Sequence, residues 1–483
     1  MRLWGVTSDM IQFTTIFFIL LLLFFSASVH ASTYLPIDSR LYNDLRFLEA
    51  EGVITTSQLA TLPISRLEGA RLTKEALNYT GTGRSSRTEA VLDRLQREFQ
   101  RELDDDLFYF TPADTANVRY INSDRKSFFA QKNRDGVEIR RGNNAYLDLS
   151  SRFDSRYLGV AVKPEIDLHE DATHFTFKKA YLLANLGREE FMLGKESAWW
   201  GPGQNGSILL STNAEPLTTV KLSNSVPYFP FGIGVRGTLF FARLENDRND
   251  VRKPILNGIR LDIKPARFIE LGLSKSALFG GDGRKENSRT FTDSLFGIGE
   301  NVNSTNANEP GDQRAGFDVK LVLPWHRQPI TLYIDFAGED QRNHFPEKWF
   351  YLYGLYLPRV LNLDRLEFFA EYANNKDSFY KGAWYTHHIY SQGYTYNGRI
   401  IGHYMGSDAK DLFLQARYNL GAAVLTLSYE ELRKLFPVRY TWENYQVTAL
   451  AELSNSTDLT FSASYAREAD SNLLLEIGLR HRF

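Results

Sequence analysis

The segment Leu473-Leu-Leu-Glu-Ile-Gly-Leu-Arg-His-Arg-Phe483 ends the chain and fixes the direction of everything before it. Leu475, Ile477, Leu479 and Phe483 fall on one face of an extended strand, and Glu476, Arg480 and Arg482 fall on the other. That period of two marks a strand with one apolar side. His481 is the break in the apolar face.

The same alternation begins near Phe108 and persists to the end. From Arg314 to Leu323, Ala315, Phe317, Val319, Leu321 and Leu323 oppose Arg314, Asp318 and Lys320. From Ile330 to Phe336, Ile330, Leu332, Ile334 and Phe336 oppose Thr331, Tyr333 and Asp335. The small and polar residues of the second faces are too many for a dry core, so a wet lumen and a lipid-facing exterior are expected. Short and long connections alternate. Pro324–Pro329, Pro358–Asp364, Asn419–Ala422, Ser454–Ser456 and Lys264–Ala266 read as short periplasmic turns. Glu245–Lys253, Ala277–Gln313, Gly338–Lys348, Ala373–Lys410, Leu432–Thr441 and Arg467–Asn472 read as outer loops. Counting back gives about eighteen strands, an even number as a closed bacterial barrel requires. The terminal aromatic of the last strand resembles the C-terminal signal of bacterial outer-membrane β-barrels, which implies outer-membrane lipid and the barrel-assembly machinery as partners.

Composition agrees. Only 43% of the 483 residues are hydrophobic while 14% are aromatic, and the mean hydropathy is −0.34. A helical membrane protein would carry long apolar runs, whereas a barrel hides its apolar residues at alternate positions. The net charge of −2 leaves no basic excess for a nucleic acid. With no cysteine, disulfides and thiolate metal sites are excluded.

Residues 1–31 read as a signal peptide, with Arg2, the apolar run Ile16 to Phe25 and a cut after Val29-His30-Ala31. Residues 32–107 have helical periodicity. Leu41, Leu45 and Leu48 form one stripe and Leu92, Leu95, Phe99 and Leu103 another. Ser65-x-x-Glu68 and Ser86-x-x-Glu89 are capping-box patterns, and Gly52 and Gly81-Thr82-Gly83 supply stops. This helical bundle precedes the first upward strand, so it is expected in the periplasm, covering the lower mouth of a barrel over 108–483.

Two stretches fit neither strand nor ordinary loop. In Glu196-Ser-Ala-Trp-Trp-Gly-Pro-Gly-Gln-Asn-Gly-Ser207, Trp199 and Trp200 offer rings that stack on sugar faces, and Gln204 and Asn205 offer amides for hydroxyls. Strand parity sends both tryptophans to the outer half. The second stretch carries Trp384, Tyr385, His387, Tyr390, Tyr394, Tyr396, Arg399, His403 and Asp408 in one outer loop, punctuated by glycines, and suits a polar-aromatic carbohydrate surface. No H-x-x-x-H spacing supports a metal site. The loop Ala277–Gln313, rich in Asn, Ser, Gly and Asp, reads as mobile surface.

The Gly194-Lys-Glu-Ser-Ala-Trp-Trp-Gly-Pro-Gly203 element with Asn213-Ala214-x-Pro216, the Tyr394-x-Tyr396-x-Gly398-Arg399-x-x-Gly402-His403-x-x-Gly406-x-Asp408 pattern and Pro63-x-x-Arg66-x-Glu68 resemble the Wzi-type capsule-assembly proteins. The resemblance implies a barrel of eighteen strands with a periplasmic helical bundle. It also implies a lectin that attaches capsular or related exopolysaccharide to the cell surface. It brings no catalytic residue and no cofactor, and a monomer is expected. The rival expectation is an outer-membrane porin or solute channel, which requires an open lumen. A barrel enzyme would need a base within hydrogen-bond reach of a nucleophile.

Overall fold

The computed structural model describes residues 31–81, 85–106, 108–297, 311–342, 345–376, 381–382 and 384–483. The expected leader, apart from Ala31, and the Thr82-Gly83 stop lie outside these residues. Antiparallel strands from Tyr109–Ser123 to Ser471–Arg482 close into an 18-strand barrel. The first and last strands pair from Thr115↔Arg482 to Ser123↔Leu474, so the two edges of the sheet satisfy each other.

The side chains are distributed inside out relative to a water-soluble barrel. Along Asp312–Leu323, Arg314, Asp318 and Lys320 are buried while Ala315 and Phe317 are exposed. In the last strand Leu475, Ile477 and Leu479 are 39%, 49% and 41% exposed. Apolar rows facing outward over charged rows facing inward suit an exterior that meets hydrocarbon.

The turns after Leu323, Leu357, Asn419 and Ser454 are short and share one end of the barrel. Three outlines differ from expectation. Strands Ile330–Arg342 and Phe345–Leu357 pair to Arg342↔Phe345, so the described residues of Gly338–Lys348 are strand rather than loop. Lys264–Ala266 is also strand, pairing Ala266↔Ile269 across a tighter turn. The Ala277–Gln313 connection contains the helix Ser288–Phe296, capped at Asn287 and held by Phe291 stacked on Phe241. It is therefore partly ordered surface, and its residues 298–310 lie outside the described part.

The helices Leu41–Ala50, Arg66–Leu77 and Ser86–Glu98 pack around a shared core that includes Leu45, Leu48, Leu92, Leu95 and Phe99. Ser65 Oγ accepts the Glu68 amide as the capping pattern requires. At the third helix the cap is one residue earlier than expected. Ser85, not Ser86, accepts the Thr88 amide at 3.1 Å. Gly52 ends the first helix at φ +74°, and a Cβ there would stand 2.9 Å from Pro324 of a barrel turn. Glycine is needed both for the conformation and for the approach.

The helices sit at the short-turn end and are fastened to the inner wall by charge. Glu49 bridges Lys264 at 3.1 Å and Lys320 at 2.9 Å. Arg359 binds Glu51 at 2.9 Å, and Arg40 and Arg94 both reach Glu452. The chain then enters the lumen, where Thr61-Leu62 pairs with Trp199-Trp200. Around this ladder Arg260 binds Asp262 and Asp318, and Thr61 Oγ1 donates to Asp262 at 2.6 Å. The lumen is thus narrower than a wet lumen with no plug. Polar inner faces are paired in part with plug residues and in part with neighbouring strands.

Candidate functional site

From the end opposite the helices, two segments fold inward and form a cap. Both are stretches singled out above, and the structure brings them into contact. Ser211 N donates to Ile401 O at 2.9 Å, Tyr385 Oη to Ile208 O at 2.6 Å and Tyr394 Oη to Leu209 O at 3.0 Å.

The tryptophans do not reach an outer surface. Trp199 is 5% exposed, packs in the core of the helices, and donates Nε1–H to Gly203 O at 2.8 Å. Trp200 meets Phe240 edge-on at 5.3 Å and pairs with Thr61. Parity located the preceding strand, Glu189–Glu196, correctly. It failed beyond Glu196 because the chain turns back into the barrel, where its backbone bonds are met by Ala60 and Leu210. The following turn is organised by Glu371, whose carboxylate accepts the amides of Gln204 at 2.9 Å and Gly206 at 2.8 Å and the Tyr333 hydroxyl at 2.6 Å. Gln204 remains half-buried. Asn205 is buried and donates to Tyr404 Oη, whose single hydroxyl proton lies within reach of both Asp411 and Glu430.

Most of the second stretch is also interior. Trp384, Tyr385, Tyr390, Tyr394, His403 and Asp408 are buried. Tyr385 and Tyr394 stack at 5.9 Å, and the Arg314 guanidinium lies 4.3 Å from the Tyr394 ring centre. Burial, opposed by Arg314, pushes the Tyr394 hydroxyl up to about 12. Trp384 abuts Phe350, Tyr390 Oη donates to Gly280 O, and Asp408 accepts the Gly382 amide. Burial, with Lys132 assisting, pulls His403 down to about 3, so its ring is neutral at physiological pH. A Cβ on Gly206 would stand 2.1 Å from that ring. His403 is a packed core histidine and not an acid–base group. These rings therefore build the cap and offer no faces to a polymer in solution. His387, Tyr396 and Arg399 are half-buried. Arg399 spends its guanidinium on Gln131 and the Val137 carbonyl. That leaves His387 and Tyr396, beside exposed His388 and Asn397, as the accessible part of the predicted surface.

Sequence reasoning missed Arg314, Glu371 and Glu49, which order the cap and the plug. Their signal was a charge on the inner face of a strand or on a helix, legible individually but without its partner. Among the described residues no cluster of three His, Asp or Glu is arranged to hold a metal ion.

Plug and cap obstruct the barrel from its two ends. Purified protein in planar bilayers is therefore expected to give no steady conductance, and large stable wild-type channels would restore the porin reading.

A family model described as capsule assembly protein Wzi matches residues 125–479. An uncharacterized 55.8 kDa protein in the cps region of Klebsiella pneumoniae is 26% identical over 339 residues, 68% of this chain and 62% of that protein. The match thus spans less than two thirds of that relative. The solved structure of Escherichia coli Wzi, described as an outer membrane protein involved in group 1 capsule assembly and a carbohydrate-binding β-barrel, aligns with a TM-score of 0.76. It covers 94% of this chain and 100% of that one at 22% identity, a likeness of fold. With the family model spanning well over half of the sequence and the same closed barrel in place, the chain belongs to the capsule assembly protein Wzi family.

Proposed function

We propose that the protein is an outer-membrane, lectin-like barrel that attaches capsular or related exopolysaccharide to the cell surface and supports capsule assembly. The observation that carries this reading is the plugged lumen: a barrel obstructed by helices and inward loops is built to present a rigid outer face rather than to pass solutes. On this reading the helices lie in the periplasm, the cap faces outward, and the chain binds and holds rather than catalyses. It works as a monomer, delivered by the barrel-assembly machinery. The description of Escherichia coli Wzi as a carbohydrate-binding barrel supports the ligand class.

The binding surface falls to the rim of the cap, around His387 and Tyr396, because the other rings are interior. One stacked ring contributes about 1 kcal/mol, and a polymer engaging several copies sums such contacts. His387→Ala with Tyr396→Ala is expected to leave the heat-modifiable barrel at wild-type levels and to raise polysaccharide shed into the medium severalfold. Normal retention in that variant would remove this rim from the site.

A further inference from the structure

Between the plug and the cap lies a lumenal chamber of about 360 Å³, within the size range of small-molecule sites. Its floor is the plug, with Asp38 and Arg46. Its wall carries Asp148, Lys163 and Glu165, and its roof is made of Trp199 and Gln204. A narrower cavity shares Asp38, Asn117 and Lys163 with it and runs down the wall past Arg482. The chamber thus continues toward the short-turn end.

The wall charges neutralise one another through long contacts. Lys163 lies 3.4 Å from Asp148, and Glu165 lies 3.2 Å from Arg119 and 3.4 Å from Lys178. The floor charges differ. Neither the Asp38 nor the Arg46 side chain makes a hydrogen bond or ion pair among the described residues. Asp38 is an exposed residue by its surface, yet it stands inside the barrel amid Lys163, Arg480, Lys179 and Arg119. The nearest ring to the Arg46 guanidinium is Tyr42, 6.0 Å away. The Asp38 carboxylate and the Arg46 guanidinium therefore face the same chamber, under a tryptophan and an amide, with the unpartnered oxygens Asn133 Oδ1 and Asp135 Oδ1 on its lining.

We propose that this chamber binds a neutral sugar unit of mono- or disaccharide size, with its hydroxyls donating to Asp38 and accepting from Arg46 beside the exposed edge of Trp199. Hydroxyls suit the site because each both donates and accepts, so a neutral polyol satisfies the two opposite charges without leaving either uncompensated. A simple anion would meet Arg46 but face Asp38. The inference rests on the carbohydrate reading above, and it moves one sugar contact from the outer rim to the interior.

The test uses the full chain purified in detergent, with D-glucose, D-galactose and D-mannose as probes and L-alanine as a zwitterionic control, read by saturation-transfer NMR. Saturable binding of at least one hexose is expected. Asp38→Asn and Arg46→Gln are each expected to weaken it about tenfold, the scale of one charged hydrogen bond, with the heat-modifiable barrel unchanged. Arg46 has no hydrogen-bond or ion-pair partner among the described residues and only a distant ring contact to lose, so R46Q is expected to assemble and decides the matter even if D38N does not. Absence of hexose binding, binding of alanine alone, or hexose binding unchanged in R46Q would each overturn the proposal. Polysaccharide retention by cells carrying R46Q is expected to stay at the wild-type level. Failure of the chamber thus leaves the surface reading standing, while failure of that reading shows only in the rim variant.

Discussion

Arg314→Ala is expected to unseat the cap and open the barrel to ions. The Arg314 side chain is fully buried between Asp312, 2.7 Å away, and Glu339, and it lies over the rings of Tyr385 and Tyr394. Truncation leaves two carboxylates in the interior without their cation and removes the support beneath both rings. Removing one member of a buried ion group costs about 3–5 kcal/mol, because the surviving charges stay desolvated. The loss falls on the cap, since the strand ladder on either side of Arg314 is backbone-bonded and unaffected. Steady conductance in planar bilayers, absent from wild type, is the expected readout. Adding Asp312→Asn and Glu339→Gln to the variant is expected to restore closure in part, because the stranded charges are then gone. A single variant that stays closed and melts like wild type would show that the cap is held without this cluster.

Glu49→Ala is expected to loosen the plug by a similar amount. Glu49 is 3% exposed and joins the first helix to two strands through Lys264 and Lys320, with Ser57 Oγ donating to it at 2.7 Å. Lys320 keeps Glu270 as a partner at 2.6 Å, but among the described residues Lys264 is left with the Ser57 carbonyl alone. A loss of about 3 kcal/mol raises the population of the undocked plug by more than a hundredfold. Amide exchange within Leu41–Ala50 reports it directly. The same group sets a pH dependence. Burial acts to raise its pKa, but Lys320 and Lys264 outweigh it and hold the carboxyl down to about 2. A depressed carboxyl contributes stability above its unfolded pKa and loses it as pH falls through the folded one. Plug exchange in wild type should therefore quicken as pH falls from about 4.5 toward 2, whereas in Glu49→Ala it should lack this step. Identical pH profiles for the two proteins would remove Glu49 from the docking.

The barrel wall was legible because its rule is local. Leu475, Ile477 and Leu479 declare an apolar face within a handful of residues, and the short turns interrupt the alternation where strands end. The interior was not legible, because its rule is long-range. Nothing near Trp199 in the sequence shows that Leu62 will pair with it, and nothing near Glu49 names Lys264 or Lys320. Rings in an outer connection look like a sugar platform until their partners are known. Tyr385 and Tyr394 instead bury their faces on each other and on Arg314. Of the thirteen predicted site residues, His387 and Tyr396 are left half-buried at the rim, His387 at 6.1 Å from the buried Tyr390 ring.

The ladder between Thr61-Leu62 and Trp199-Trp200 also constrains the order of events in biogenesis. Its two halves come from opposite mouths of the barrel and meet inside it. Neither half can pair until the other has arrived, so the N-terminal segment stays unpaired until the tryptophan segment has turned back into the lumen. Removing the helical region should therefore strip Trp199 and Trp200 of their backbone partners, and faster amide exchange at those two residues would report it.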